Sequence, residues 1–466
     1  MSTRMFGTDG VRGVPGTPPL DADTIVRLGA AIVAELRAAP DGPLTPRIVC
    51  GRDTRDSGAW IQRQLAVGVR EGGGELLSVG VAPTPGVAML TARGGFDAGL
   101  AVSASHNPYP DNGIKLITAT GAKATRDVEQ QIEARLGRDG KPPGIGSAPG
   151  AVTEAAHLVA TYVEHLADIA GAAPLNGMRV AIDCAHGATS RLAPEVLGRL
   201  GADVVTLHAA PDGRNINQAS GSTHPEALQA EVVRQACAVG FAFDGDGDRV
   251  IAVDAAGRLV DGDGILYLVA RALRDAARLP HDGIVATVMS NYGLESALRD
   301  AGITLHRCGV GDSTVYAEMQ RRSLSLGGEQ SGHVIFSDLL PTGDGIATAI
   351  RVLRILAEQE VGLAELVDGL TILPQVLVNV PVTRMPPIAA VPELNAAVGR
   401  AEAQLAGSGR VLVRYSGTES LLRVMIEGRD REAVRALASG IAQQARESLA
   451  AGGEIRRHTE SGETPG

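Results

Sequence analysis

The sequence predicts an α/β protein built from three βα domains with mixed or parallel sheets, followed by a C-terminal α+β domain. Short β-rich runs alternate with helical patterns over most of the chain, which is typical of sheets covered by helices. At 466 residues the chain is too long for one hydrophobic core, since a domain commonly has about 150 residues. After residue 391 the order changes to helix, two strands and helix, which is an α+β arrangement.

The expected elements follow one another with the spacing of βα units. The first part has strands at 47–51, 75–80 and 96–102 and a helix at 57–71. The central part has strands at 178–183, 203–208, 239–243, 249–254 and 283–288 and helices at 189–200 and 262–278. The last part has helices at 391–406 and 430–451 and strands at 410–414 and 421–427. The pattern breaks at 137–151, 255–262 and 383–391, which we interpret as boundaries between these parts.

Composition and charge exclude several classes of protein. Hydrophobic residues make up 44% of the chain and charged residues 21%, which is typical of a globular protein rather than a disordered one. The formal net charge of −10 argues against nucleic acid or an anionic membrane as the main partner. The first ten residues have no apolar segment typical of a signal peptide, and no apolar run approaches the roughly 18 residues of a bilayer span. No CxxC pair occurs, so we expect reduced, buried thiols and a cytoplasmic protein; the cysteines are Cys50, Cys184, Cys237 and Cys308.

The strongest chemical signal is DGDGDR, residues 244–249, directly after the apolar run VGFAF. The carboxyl end of a strand is where α/β proteins place ligand sites. Asp244, Asp246 and Asp248 alternate with two glycines, which permit a tight path that aims all three carboxylates at one point. A divalent cation at that point would remove their mutual repulsion, and oxygen ligands favour Mg²⁺, Ca²⁺ or Mn²⁺ over zinc.

Two other interpretations of this segment compete with a metal loop. An EF-hand loop starting at Asp244 requires Gly at its sixth position and Glu at its twelfth, where the sequence has Arg249 and Ala255. An acidic surface turn needs no metal, but the apolar strand on each side makes such a turn costly without a partner. The segment is therefore interpreted as a metal loop.

The segment SASHNPYPDNGIK, residues 103–115, follows another apolar run. Serine is a weak nucleophile that needs a base or a metal, and a serine in a loop is commonly only a turn residue. A phosphate on Ser105 would be a natural further ligand for the metal because of its charge. Lysine occurs only at 115, 123 and 141, and unlike arginine its pKa can be lowered enough to move a proton near neutral pH. We therefore expect Lys115 to act at this site rather than to be a solvated turn residue.

Two further segments suit the parts of a sugar phosphate. In GGEQSGH, residues 327–333, the alternating Glu329, Ser331 and His333 are expected to share one face, where a carboxylate and a hydroxyl suit a polyol; a plain hairpin turn is the alternative. In RYSGTES, residues 414–420, hydroxyls, backbone N–H groups and an arginine suit a phosphate, with an ordinary polar turn as the alternative. The GxxxxGK[ST] pattern of a Walker A loop occurs nowhere.

The segments SASHNP, DGDGDR, GGEQSGH and RYSGTES, in this order over the whole chain, resemble the α-D-phosphohexomutase superfamily. Within it the chain is most similar to the bacterial phosphoglucosamine mutases. That similarity rests on FGTDGVRG at 6–13, DCAHGAT at 183–189, PDGRNIN at 211–217 and Gln330, where bacterial phosphomannomutase/phosphoglucomutase tends to carry Met. The resemblance implies four domains around a central cleft, each giving one loop. The implied divisions are 1–152 with the phosphoserine loop, 153–257 with the metal loop, 258–372 with the sugar-binding loop, 373–453 with the phosphate-binding loop, and a disordered tail at 454–466.

The resemblance also implies a role for each site residue. Ser105 is the implied phosphoserine, and its phosphate joins Asp244, Asp246 and Asp248 in holding one Mg²⁺ per subunit. The implied catalytic residues are Ser105, His106, Lys115 and Arg249. The implied substrate-binding residues are Arg12, Glu329, Ser331, His333, Arg414, Ser416, Gly417, Thr418 and Arg423.

The implied reaction interconverts glucosamine 6-phosphate and glucosamine 1-phosphate through a phosphoserine enzyme and a glucosamine 1,6-bisphosphate intermediate, feeding UDP-N-acetylglucosamine and cell-wall synthesis. The implied partners are small hexosamine phosphates. A homodimer is considered as the assembly, and the net charge argues against nucleic acid and a membrane. Two departures bear on substrate choice: Ser420 stands where the family usually has Pro, and Ser313-Thr314 where a basic–aromatic pair is usual. The alternatives are a phosphomannomutase/phosphoglucomutase and a sugar-phosphate sensor without catalysis.

Overall fold

The computed structural model describes residues 5–7, 9–136, 152–171, 175–416 and 419–449. The linker predicted within 137–151 and the tail predicted at 454–466 lie outside the described residues. The chain divides into two compact units, one of residues 1–290 and 297–370 and one of residues 291–296 and 371–466. Among the described helices, none combines the length and the apolar character that a bilayer span requires.

The first sheet has six strands in the order β1-β5-β4-β2-β3-β6. They are β1 (Val11–Gly13), β2 (Arg47–Arg52), β3 (Glu75–Val81), β4 (Ala98–Val102), β5 (Asn112–Thr118) and β6 (Thr153–Glu154). Its helices are α1 (Ala22–Ala38), α2 (Gly58–Glu71), α3 (Thr84–Arg93) and α4 (Arg126–Leu136). β2 lies parallel to β3 and β4, whereas β5 returns antiparallel to β4. Every residue of β4 is buried, as expected for a strand covered on both faces.

The second sheet has the order β11-β10-β9-β7-β8. Its strands are β7 (Arg179–Asp183), β8 (Asp203–Leu207), β9 (Val239–Phe243), β10 (Val250–Asp254) and β11 (Leu259–Val260), and its helices are α5 (Val159–Ala170), α6 (Leu192–Arg199) and α7 (Glu226–Arg234). β7 is parallel to β8 and β9, and β10 returns antiparallel to β9. β11 extends this sheet through Val260, so the sheet continues past the boundary expected after residue 257.

The third sheet repeats this arrangement with the order β13-β12-β14-β15. Its strands are β12 (Gly283–Thr287), β13 (Thr304–Cys308), β14 (Leu326–Gly328) and β15 (Val334–Phe336), and the helices of this part are α8 (Gly262–Asp275), α9 (Tyr292–Asp300), α10 (Asp312–Arg322), α11 (Gly345–Gln359) and α12 (Leu363–Leu366). β14 is parallel to β12, and β15 returns antiparallel to β14. In each of the three sheets a strand of the parallel part, β4, β9 or β14, is thus followed by an antiparallel strand, and the loop between the two carries a predicted motif.

The second unit contains an antiparallel sheet in the order β16-β18-β17. Its strands are β16 (Gln375–Pro381), β17 (Gly409–Tyr415) and β18 (Leu421–Gly428), and its helices are α13 (Pro392–Leu405) and α14 (Arg431–Leu449). Alternate residues of β18, among them Val424 and Ile426, pack with Ala438 and Ile441 of α14 in a buried core. The predicted α+β arrangement after residue 391 is therefore confirmed.

Candidate active site

The metal loop predicted at 244–249 connects β9 to β10. All three carboxylates are buried, and one ligand atom from each lies within 4.8 Å of the others. Gly247 has φ = 71°, and a Cβ on Gly245 would lie 2.6 Å from the carbonyl oxygen of Ser105. The path of the loop therefore requires both glycines, and the three aspartates converge as the sequence predicts.

Two oxygens of this group of carboxylates have no hydrogen-bond partner. Oδ1 of Asp246 and Oδ1 of Asp248 are buried and accept no hydrogen bond from the residues that the structure describes. The other oxygen of Asp246 accepts hydrogen bonds from Thr84 Oγ1 at 2.5 Å and from Lys115 Nζ at 2.8 Å. Buried polar atoms without partners are costly, and converging carboxylate oxygens are the donors that a hard divalent cation prefers. The residues present therefore fit a divalent metal ion.

Lys115 lies in the middle of β5 and is buried, so it is not the solvated turn residue of the alternative interpretation. Its side chain is 1% exposed, and Nζ lies 2.8 Å from Asp246, 3.3 Å from Asp248 and 3.2 Å from Asp9. Burial disfavours the charged ammonium, but these carboxylates outweigh it and hold the pKa of Lys115 well above its usual range. The protein's own groups thus make Lys115 a cation and do not lower its pKa.

Ser105 lies three residues beyond the end of β4, against the metal loop. Its side chain is buried, and Oγ donates a hydrogen bond to Asp244 Oδ2 at 2.5 Å. Its backbone has φ = 51°, in the left-handed region that non-glycine residues seldom adopt. The structure therefore brings the predicted phosphoserine and the predicted metal loop into direct contact, although they are more than a hundred residues apart in sequence.

The pKa values of Asp244 and Asp248 are shifted in opposite directions. Burial, followed by the charges of Asp248 and Asp246, raises the pKa of Asp244 well above its usual range. Burial acts in the same direction on Asp248, but Lys115, His333 and Arg249 outweigh it and hold that pKa well below its usual range. A divalent cation beside Asp244 would favour its ionised form.

His106 and Arg249 border Ser105. Nδ1 of His106 lies 3.4 Å from Ser105 Oγ and 3.4 Å from a guanidinium nitrogen of Arg249. Burial, together with Arg249 and Arg12, lowers the pKa of His106, so its imidazole is neutral near pH 7. Arg249 keeps its charge because Asp248, Asp244 and Glu329 outweigh the effect of burial and raise its pKa.

A chain of mostly half-buried ion pairs that the sequence did not predict extends from this site. Lys123 pairs with Asp9 and with Asp312, and Asp9 also pairs with Lys115 and with Arg12. The sequence offered weak signals for it: Asp9 lies in the motif FGTDGVRG, and Lys123 is one of the chain's three lysines. Arg12 also donates to Asn107 Oδ1 at 3.3 Å, which places this predicted substrate-binding residue beside the serine loop.

The predicted sugar loop is a turn between β14 and β15, and the expectation that its three polar residues share one face is wrong. Ser331 is exposed, with Oγ 3.4 Å from Glu329 Oε2, and Glu329 Oε1 accepts the N–H of Gly311 at 3.0 Å. His333 is instead buried and its Nε2 accepts the N–H of Gly343 at 2.9 Å. Because Nε2 is an acceptor, the ring proton lies on Nδ1, which is 3.8 Å from the carboxylate of Asp248. His333 therefore supports the metal loop.

The predicted phosphate-binding residues lie on β17, β18 and the turn between them. Arg414 and Arg423 face each other across the two strands, which places like charges side by side. Nη2 of Arg423 donates to Glu419 Oε2 at 3.0 Å, and the N–H of the buried Ser416 donates to the carbonyl of Leu421 at 2.8 Å. An anion between the arginines would offset their repulsion. Two further predicted residues, Gly417 and Thr418, lie outside the described residues.

The four cysteines are free thiols. Cys50, Cys184 and Cys237 are buried as predicted, whereas Cys308 is half-buried. Burial raises the pKa of Cys50 and of Cys184 to about 12, so neither is a reactive thiolate.

Comparison with known families assigns most of the chain. Four models of the phosphoglucomutase/phosphomannomutase family match: alpha/beta/alpha domain I over residues 3–142, domain II over 160–257, domain III over 261–372 and the C-terminal domain over 377–444. The four matches follow the order of the four sheets. The chain therefore has the four-domain architecture that the sequence predicts.

Individual relatives agree with these matches. A phosphoglucosamine mutase of Symbiobacterium thermophilum is 48% identical over 448 residues, covering 96% of this chain and 99% of the relative. One of Moorella thermoacetica is also 48% identical, over 442 residues, covering 94% and 98%. Among solved structures, a phosphoglucomutase/phosphomannomutase family protein of Burkholderia thailandensis superposes with a TM-score of 0.78 at 27% identity, covering 96% of this chain and 98% of the other.

Proposed function

The chain belongs to the phosphoglucosamine mutase family of the α-D-phosphohexomutase superfamily, and on that premise we propose how its residues carry out the reaction. The protein is an intramolecular phosphotransferase that interconverts glucosamine 6-phosphate and glucosamine 1-phosphate. The observation that carries the mechanism is the 2.5 Å hydrogen bond from Ser105 Oγ to Asp244 inside a buried cluster of carboxylates and cations.

The phosphoryl group resides on Ser105 and moves to the substrate. In the first half-reaction the P–O bond to Ser105 Oγ breaks and a P–O bond to the free sugar hydroxyl forms, giving glucosamine 1,6-bisphosphate. The proton of that hydroxyl ends on Ser105 Oγ. After the bisphosphate turns over, its other phosphoryl group returns to Ser105 by the same steps in reverse. The first half-reaction therefore converts phosphoserine to a serine hydroxyl, and the second regenerates the phosphoserine.

The groups around Ser105 have different roles in the reaction, according to their charge. His106 is neutral and 3.4 Å from Ser105 Oγ, so it is placed to take or pass on the proton. Lys115 and Arg249 are cations and stabilise negative charge on the transferring group. Lys115 is also proposed as an acid, because a cation held by Asp246 and Asp248 would offset the charges that raise the pKa of Lys115.

We propose Mg²⁺ as the ion held by Asp244, Asp246, Asp248 and a phosphate oxygen on Ser105. The two buried Oδ1 atoms without hydrogen bonds support this assignment, as does a donor set made only of oxygen. When bound, the ion offsets the negative charge of the transferring phosphoryl group.

The substrate is bound through its hydroxyls and its non-reacting phosphate. Glu329 and Ser331 suit the sugar hydroxyls, and Arg414, Ser416 and Arg423 suit the phosphate. Gly417 and Thr418 are assigned to that phosphate by resemblance alone. His333 is buried against Asp248 and acts as a support rather than a sugar contact. Because both half-reactions use the same phosphate site, the ligand must bind in two orientations.

One coupled assay tests this function. Turnover is compared on glucosamine 1-phosphate, glucose 1-phosphate and mannose 1-phosphate, with the Ser105→Ala variant as the control. We expect the largest kcat/KM on glucosamine 1-phosphate and no turnover by the variant. A larger kcat/KM on the 2-hydroxy sugars would instead indicate a phosphomannomutase/phosphoglucomutase. Binding without turnover on every substrate would indicate a sensor.

Three finer statements belong to the same proposal. The domains are taken to be 1–152, 153–257, 258–372 and 373–453, the location to be the cytoplasm, and the assembly to be a homodimer. Limited proteolysis at the three boundaries and light scattering of the purified chain test the first and the last.

A further inference from the structure

The strained backbone of Ser105 is held by two side chains from different domains. Its carbonyl oxygen accepts hydrogen bonds from Arg55 Nη2 at 3.0 Å and from Asn217 Nδ2 at 2.8 Å. The carbonyl oxygen of Asn107 accepts from the same two nitrogens, at 2.8 Å and 2.9 Å. Each donor therefore bridges the carbonyls on both sides of His106. We call Arg55 and Asn217 the carbonyl clamp.

Arg55 uses all of its donors in this arrangement. Besides the two shared carbonyls, Nη1 donates to the carbonyls of Pro108 at 2.5 Å and Asp111 at 2.9 Å, and Nε donates to the carboxylate of Asp53 at 2.9 Å. Guanidinium has five N–H groups, and all five have an acceptor while the side chain is 1% exposed. The loop from Ser105 to Asp111 thus wraps around one buried guanidinium, which a lysine with three donors cannot replace.

Asn217 is the residue of the carbonyl clamp that comes from the second domain. Its backbone N–H donates to the carbonyl of Ala185 at 2.9 Å, which anchors it beside β7. The two facing atoms are carbonyl oxygens, which only accept, so Nδ2 is the atom that must face them. A Cβ added to Gly245 of the metal loop would lie 2.8 Å from Asn217 Nδ2 and 2.6 Å from the carbonyl of Ser105. Asn217, Ser105 and the metal loop are therefore in mutual contact.

We propose that Arg55 and Asn217 are positioning residues that hold Ser105 in its left-handed conformation and thereby fix the distance from its Oγ to the metal loop. A left-handed residue returns to a relaxed conformation when its restraints are removed. Rotation of the Ser105 backbone would carry Oγ away from Asp244. Since a misplacement of about 1 Å can cost about 10²-fold in rate, loss of the clamp should lower kcat much more than it raises KM. This inference rests on the proposed role of Ser105 as the phosphoserine.

Asn217→Ala and Asn217→Asp test the clamp. Asn217→Asp keeps the volume but replaces the donor with an acceptor that faces two carbonyls. If the donor matters, Asp is as harmful as Ala or worse, with kcat reduced about 10–100-fold and KM little changed. A side chain that only fills space would give the opposite order. Asn215→Ala is the matched control, because the Asn215 side chain bonds within its own loop, to Ala210 and Asp212, and its loss should leave kcat unchanged.

Hydrogen exchange gives a readout that does not depend on activity. In the Asn217 variants the amides of 105–111 should exchange faster, while those of β7 and β9 stay as in the wild type. Near-normal kcat with unchanged exchange at 105–111 would overturn the inference. A wild-type protein that turns over no sugar phosphate would instead overturn the proposed function, and the exchange experiment would still decide whether the clamp holds the loop. Arg55→Lys should loosen the same segment, and protection equal to the wild type would also count against the clamp.

Discussion

Replacing Lys115 by methionine should make the stability of the first domain depend strongly on Mg²⁺. Methionine has similar length and no charge, so it removes the ammonium without opening a large cavity. At an effective dielectric constant of about 20, the pair at 2.8 Å with Asp246 corresponds to about 6 kcal/mol of Coulomb attraction. The pairs at 3.3 Å with Asp248 and 3.2 Å with Asp9 correspond to about 5 kcal/mol each. Desolvation of the buried charges offsets most of this attraction.

The expected loss of stability follows from the carboxylates that stay without a partner after Lys115 is replaced. Breaking a buried ion pair leaves uncompensated carboxylates and costs about 3–5 kcal/mol. For a domain of about 150–250 residues this lowers the unfolding midpoint by roughly 6–20 °C in EDTA. A bound divalent ion supplies the missing positive charge, and the variant should bind it more tightly because the neighbouring ammonium is gone. The rise in midpoint on adding Mg²⁺ should therefore be larger in Lys115→Met than in the wild type.

The chain offers both the probe and the control for this experiment. Its single tryptophan, Trp60, lies in α2 and packs against the core of the domain that carries Lys115, so its fluorescence follows unfolding of that domain. Lys123→Met is the control, because Lys123 is half-buried in the same domain but pairs with Asp9 and Asp312 rather than with the metal loop. It should lower the midpoint without enlarging the Mg²⁺ effect. An equal rise in midpoint on adding Mg²⁺ in both variants and the wild type would show that Lys115 and the metal ion do not neutralise the same carboxylates.

Three other predictions concern the metal loop, Lys115 and the buried Asp344. Asp246→Ala should keep the fold, weaken Mg²⁺ binding and lower kcat by orders of magnitude; wild-type activity that survives in EDTA would contradict a metal role. Lys115→Arg should leave KM near normal and lower kcat roughly 10²-fold or more, because arginine cannot release a proton; steady-state kinetics that retain most of kcat would reduce Lys115 to a charge anchor. Burial raises the pKa of Asp344 from 3.8 to about 6, although Tyr162 donates a hydrogen bond to it. The folded state thus holds a proton that the unfolded state has lost, and stability falls as pH rises from about 4 to about 6. The stability of Asp344→Asn relative to the wild type should rise over this range, by up to about 3 kcal/mol, and urea titrations at pH 4 and pH 8 that give the same difference would contradict this.

The loops of the site could be predicted because their chemistry is local in sequence. Three carboxylates spaced by glycines indicate a cation bound by oxygen atoms. Their position directly after an apolar strand places this site at the edge of the sheet. The same holds for Ser105, which follows the fully buried β4. These segments need no information from distant residues, since each motif and the strand that positions it lie within about ten residues of each other.

The charged surroundings of the site could not be predicted in the same way. Lys123 is separated from Asp9 and Asp312 by more than a hundred residues each, and a single lysine or aspartate has no local signature. Arg55 is likewise an ordinary arginine in sequence, although the serine loop folds around it. The pairing of these residues depends on how the sheets pack, which the local pattern does not contain.

The shared face expected for the sugar loop is wrong because the segment is not a strand. The alternation of Glu329, Ser331 and His333 implies one shared face only in a strand, and the segment is a turn between β14 and β15. The tertiary pairing of the two strands decided the local structure.

Transfer of a ³²P label from Ser105 to the substrate tests whether Ser105 donates the phosphoryl group. Protein phosphorylated with ³²P is mapped by peptide mass spectrometry and then mixed with unlabelled glucosamine 6-phosphate in Mg²⁺, and the label is followed by rapid quenching. We expect the label to lie on Ser105, to leave it at a rate no slower than kcat, and to appear first in the bisphosphate and then in the monophosphates. Label that stays on Ser105 through many turnovers, or turnover by Ser105→Ala, would contradict it.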